Sequence, residues 1–105
     1  MAIDFIYFAV VVIGMVDLLS DEEIQTRIPN GWERDDDEIV RTYEFDDYLN
    51  GIAFASDVGE VADEEFHHPV IIVRYEEVEV GLTSHEEGGI TDKDVEMAER
   101  FDDVR

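Results

Sequence analysis

Residues 66–82 read FHHPVIIVRYEEVEVGL, and this stretch decides the fold. Pro69 lacks a backbone N–H and disfavours helix before it, so a helix arriving from the N-terminal side must stop here. Val70 to Tyr75 then forms a run of β-branched and aromatic residues, the composition of a strand. Glu76-Glu77 reads as a tight turn. Beyond it Val78, Val80 and Leu82 alternate with Glu79 and Gly81, the period-two pattern of a strand buried on one face. Two such strands joined by a short turn predict an antiparallel hairpin.

Working outward, Asp46 is placed to cap a helix over residues 47–65. Leu49, Ile52, Ala53, Ala55, Val58, Val61 and Ala62 recur along it at three- and four-residue spacing. Gly51 and Gly59 suggest close packing against a neighbour. Further upstream, Ser20 and Glu23 form a capping box before a short helix that ends at Pro29-Asn30-Gly31. Trp32 to Arg34 and Glu38 to Phe45 read as two strands joined by Asp35-Asp36-Asp37. Downstream, Gly88-Gly89 breaks the chain and Thr91 caps a last helix reaching Val104, with Ile90, Val95, Ala98 and Phe101 as its apolar stripe. The predicted order is α-β-β-α-β-β-α. This is an α+β layer with a four-stranded antiparallel sheet and three helices on one face.

The chain has 105 residues, 45% of them hydrophobic, which suits one globular domain. It carries 29 acidic residues against 7 basic ones, a formal charge of −22. No basic stripe is available to neutralise phosphates, so nucleic-acid binding is not expected. An anionic membrane surface would repel the chain for the same reason. Acidic excess with a single lysine, Lys93, points to a cytoplasm of molar salt, where the Debye length falls to about 3 Å. Cysteine is absent, which excludes disulfides and thiolate chemistry. Residues 1–16, MAIDFIYFAVVVIGMV, stand apart as a hydrophobic extension of a domain over 17–105. Their uncharged run is shorter than the roughly 20 residues that span a bilayer, and they lack a secretory signal's features. A translation start at Met15, an additional strand and a weak membrane-associating tail all remain open for them.

The three histidines are concentrated in one segment: His67 and His68 before the hairpin, His85 just after it. A hairpin brings its two outer ends together, so all three imidazoles can line one pocket mouth. An unperturbed imidazole titrates at about 6.5 and exchanges protons readily near neutrality. Adjacent residues in extended chain point to opposite sides, which gives His67 and His68 different roles. Three imidazoles and a carboxylate also suit zinc, although adjacent histidines rarely reach one ion. Asp94 stands three residues after Thr91, itself a capping-box spacing that explains it as a helix cap.

The arrangement Asp63, His67-His68-Pro69, Tyr75, His85, Asp94 resembles the pterin-4a-carbinolamine dehydratases, in a haloarchaeal-like form. FHHPVIIVRY and LTSHEEGGITDKD carry the resemblance most strongly, and Gly31-Trp32-Glu33 and the helix over 45–62 extend it across roughly residues 17–104. The resemblance implies a hydro-lyase that dehydrates 4a-hydroxytetrahydropterin to quinonoid dihydropterin with no metal and no organic cofactor. It implies His67 and His85 as the acid–base pair and His68 as a pterin-binding residue. Asp94 would orient an imidazole, Pro69 would fix the helix-to-strand corner, and Trp32 and Tyr75 would be pocket wall or core. It also implies a homodimer or homotetramer built through helix and sheet-edge contacts. A non-catalytic pterin-binding or protein-partner module and a three-histidine metal site are the alternatives.

Overall fold

The computed structural model describes residues 17–105, so the expectations for the hydrophobic extension and for Met15 lie outside the described residues. The elements are α1 (Asp21–Arg27), β1 (Glu33–Asp35), β2 (Glu38–Glu44), α2 (Tyr48–Glu65), β3 (Val70–Val73), β4 (Glu77–Leu82) and α3 (Asp92–Asp103). The expected α-β-β-α-β-β-α order and antiparallel sheet are both present, with strands in the order β1-β2-β4-β3. The two hairpins therefore meet along β2 and β4, in register from Ile39 opposite Leu82 to Glu44 opposite Glu77.

Alternation decides which face the helices cover. Ile39 and Tyr43 on β2 and Val78, Val80 and Leu82 on β4 are buried together. Phe54, Val58, Val61 and Ala62 of α2, Met97, Ala98 and Phe101 of α3, and Ile24 of α1 close over them. The core is built from apolar area removed from water, at about 25 cal/mol per Å². Gly51 packs closely at the seam, where a Cβ would lie 3.3 Å from Val78 Cγ2 and require that side chain to shift. Gly59 has no neighbour within 4 Å of that position, so its expected packing role is not found.

Four boundaries and faces differ from the sequence reading. Asp47, not Asp46, caps α2, because its carboxylate accepts from Asn50 N–H at 2.8 Å. β1 begins at Glu33, leaving Trp32 just outside the ladder. β3 ends at Val73, since Val73 already pairs with Val78 and Arg74 N–H bonds to Glu77 O at 2.8 Å. The turn thus takes Arg74 to Glu77, with Glu77 doubling as the first ladder residue opposite Glu44. The buried face of α2 also runs through Gly51 and Phe54, which leaves Leu49 74% exposed and Ile52 and Ala53 on the solvent side.

One polar hub fastens α3 to the sheet. Asp102 accepts from Trp32 Nε1–H at 3.1 Å, from Arg41 at 3.0 Å and from Tyr43 O–H at 2.5 Å. Burial first, and then the Asp102 hydrogen bond, push the Tyr43 phenol far above its ordinary value. The folded state therefore keeps this phenol neutral while the unfolded chain ionises it near pH 10. Its contribution is complete below that pH and declines as pH rises further. In urea titrations of wild type, stability should fall on going above about pH 10. Tyr43→Phe should lose about 1 kcal/mol at neutral pH and show a shallower alkaline decline; an equally steep decline would remove Tyr43 as its source.

Candidate active site

α2 ends in a way that aims the histidines. Phe66 adopts a left-handed conformation, φ 49° and ψ 47°, and its N–H bonds back to Ala62 and Asp63 carbonyls. His67 N–H then reaches Ala62 O at 3.1 Å, completing a Schellman closure that spends the helix's last carbonyls. The chain reverses sharply there, and Pro69 carries it into β3 in extended form. At the other end of the hairpin, β4 runs into a tight loop from Ser84 to Gly89. Ser84 N–H bonds Gly89 O at 2.8 Å and Gly88 N–H bonds Ser84 O at 2.9 Å, with Gly88 at φ 81°. This loop presents His85 to solvent beside His67 and His68, and the three imidazoles line a single cleft of about 440 Å³.

Beneath the cleft lies Asp94, with no solvent exposure. Its Oδ1 lies 2.6 Å from His67 Nε2, while Oδ2 accepts from Ser84 Oγ at 2.8 Å and from Thr91 N–H at 2.9 Å. Ser84 and Thr91 hydroxyls also bond each other at 2.8 Å. Asp94 is the N3 residue of the α3 capping box and the anchor of His67 at once, so the two expectations for it describe one carboxylate. Its position in the first turn of α3 favours negative charge. A carboxylate only accepts, which places the shared proton on His67 Nε2 and leaves Nδ1 as the ring nitrogen open to proton exchange.

His68 is more exposed and pairs differently, its Nε2 2.8 Å from Asp63 Oδ1. The two adjacent imidazoles are thus tied to separate carboxylates, as their opposite directions require. Among the described residues, no group of three His, Asp or Glu side chains is placed to hold a metal ion. At the rim, Lys93 Nζ bonds Glu65 at 2.6 Å. That hydrogen bond, with the charges of Lys93 and Arg100, holds the Glu65 carboxyl below its usual range.

Trp32 and Tyr75 stand elsewhere within the chain. Trp32 is buried on Asp102, and Tyr75 sits exposed in the β3–β4 turn, at the far end of the hairpin from the imidazoles. Ser84 is a buried partner of Asp94 that the sequence reading passed over. Its signal was available: the inward alternation 78, 80, 82 continues to 84, where a polar residue requires a buried partner.

Comparisons with known proteins place the described domain in one family. The family model for pterin 4 alpha carbinolamine dehydratase matches residues 17–104, and the chain belongs to that family. A relative in Natronomonas pharaonis assigned to the pterin-4-alpha-carbinolamine dehydratases is 56% identical over 90 residues, covering 86% of this chain and 98% of its own. One from Halobacterium salinarum, assigned likewise, is also 56% identical, covering 87% of this chain and all of its own. The crystal structure of a transcriptional coactivator/pterin dehydratase from Brucella melitensis superposes with a TM-score of 0.78 at 27% identity, over 84% of this chain and 98% of that one. The haloarchaeal relatives give the acidic composition its high-salt context. No helix among the described residues is long and apolar enough to cross a membrane.

Asp94→Asn tests the buried network. An amide has one acceptor oxygen where the carboxylate has two, and its N–H₂ must then oppose a donor or force a tautomer change. We expect a loss of about 2–3 kcal/mol in urea unfolding and a shift of His67 toward the Nδ1–H tautomer in ring ¹⁵N spectra. An unchanged His67 ring would show that Asp94 serves the helix cap alone.

Proposed function

We propose that His67 and His85 are the proton-transfer pair of a pterin-4a-carbinolamine dehydratase, with His68 and Asp63 fixing the pterin. The chain is a lyase of the dehydratase type by family, and a small-molecule pterin is its substrate. The single observation that carries the assignment of roles is the contrast between His67, anchored on buried Asp94, and His85, exposed on a loop of the same cleft.

Dehydration removes the C4a hydroxyl and the N5 proton and leaves a C4a=N5 double bond plus water. His67, oriented through Nε2, takes the N5 proton on Nδ1. Protonated His85 gives a proton to the departing hydroxyl and is recharged from solvent, while His67 releases the N5 proton to solvent through the open cleft, so the pair returns to its starting state. The N5 electron pair forms the new double bond as the C–O bond breaks, so charge and atoms balance. Positioned proton donors and acceptors of this kind contribute about 10²–10⁴ each. A stopped-flow dehydration assay in molar KCl should therefore show losses of that order in His67→Ala and in His85→Ala. Wild-type rates in both variants would overturn the assignment.

We further propose a homo-oligomer working in a high-salt cytoplasm, without a nucleic-acid partner. β3 is an edge strand of four uncharged residues, and Val70 and Ile72 stand exposed on the open face of the sheet. Edge strands are ordinarily blunted by charge, proline or a bulge, and this one has none of these within it. High salt screens the charge that would otherwise hold two copies apart. Sedimentation in molar KCl should give at least a dimer, with Ile72→Lys shifting it toward monomer. A wild type that stays monomeric at every concentration would refute this.

A further inference from the structure

We infer that Phe66 is a substrate-positioning residue, the apolar platform on which the flat pyrimidine half of the pterin stacks beside His68. The inference rests on the dehydratase reading to the extent that it takes a pterin as the ligand of the cleft.

Phe66 is expensive where it stands. Its left-handed backbone suits glycine or asparagine, and a bulky side chain there is strained. Its side chain is 86% exposed, so it recovers nothing by packing in the core. The helix stop itself requires only the left-handed conformation, not an aromatic ring. Yet the ring borders the same cleft as the three imidazoles, and its centroid lies 5.5 Å from that of His68 with the planes at 84°. Two rings at right angles make a corner with an apolar wall and a polar one. A flat heterocycle can lay its face on the first while its in-plane N–H and C=O groups reach the second. The remaining walls of the cleft include Glu86, Glu87 and Lys93, so Phe66 is its principal apolar surface. The volume, about 440 Å³, falls in the range that takes a small ligand.

The test compares wild type, Phe66→Asn and Phe66→Tyr in molar KCl. Asparagine accepts the left-handed backbone, so Phe66→Asn should fold with an unchanged or higher Tm. We expect its affinity for an oxidised pterin, read by quenching of the pterin's fluorescence, to fall about tenfold, or about 1.4 kcal/mol. The KM for 4a-hydroxytetrahydropterin should rise comparably, with the smaller part of the change in kcat, and Phe66→Tyr should restore both. Unchanged affinity and KM in Phe66→Asn would overturn the inference. So would a drop in its sedimentation mass with affinity regained at high protein concentration, which would make Phe66 a contact between copies. Wild type that binds pterin without turnover would fail the dehydratase reading while leaving the affinity comparison decisive for Phe66.

Discussion

Everything at the histidine end of this protein depends on one carboxylate that water does not reach. Asp94 belongs to α3, Ser84 follows β4 and His67 lies at the exit of α2, and its two oxygens join the three. Burying a charge is costly unless donors surround it. Here an imidazole N–H, a hydroxyl and a backbone N–H do so, and the hydroxyl is itself fixed by Thr91. The need to satisfy Asp94 therefore locks three separate segments into one geometry. Orientation of the imidazole comes with the fold and requires no further element.

What could be read from the sequence follows the range of the forces involved. Helix caps at Ser20 and Thr91, the alternation along β4 and the stop at Pro69 are local, and they are written in a few adjacent residues. The histidine spacing could be read because a hairpin converts distance along the chain into proximity. The face of α2 could not be read as easily. Leu49 and Ile52 are as apolar as Val58, and it is the tertiary neighbours, Val78 and Phe45 against Gly51 and Tyr43 and Phe45 against Phe54, that mark the inward face. Tyr75 shows the same limit, since strand polarity sends it to the far turn, whereas Trp32 falls in the core as its type suggested and only its long-range acceptor, Asp102, went unread.

The fold by itself does not fix the chemistry. A pterin dehydratase-like protein identified as a RuBisCO assembly factor in the alpha-carboxysome shares this architecture at a TM-score of 0.57 and 19% identity. Function resides in the side chains a scaffold carries, and the proposal for this chain rests on the imidazoles and the carboxylates behind them. The acidic surface is a separate matter. Arg27, Arg34, Arg41, Arg74, Lys93 and Arg100 are all engaged by carboxylates, so the few cations are distributed as local counter-charges. Exposed pairs of this kind are worth little individually, and salt relieves the repulsion that they leave.

Lys93 has a practical consequence. It is the only lysine in the chain, and it stands on the rim of the histidine cleft. Amine-directed reagents, which on most proteins scatter over many side chains, can here attach through a side chain at one address. A fluorophore placed on Lys93 would report directly on what enters and leaves the cleft, and the reaction would be slowed to the extent that Glu65 keeps hold of the ammonium. Scarcity of lysine, in keeping with the acidic surface, has left a built-in point of attachment at the rim of the histidine cleft.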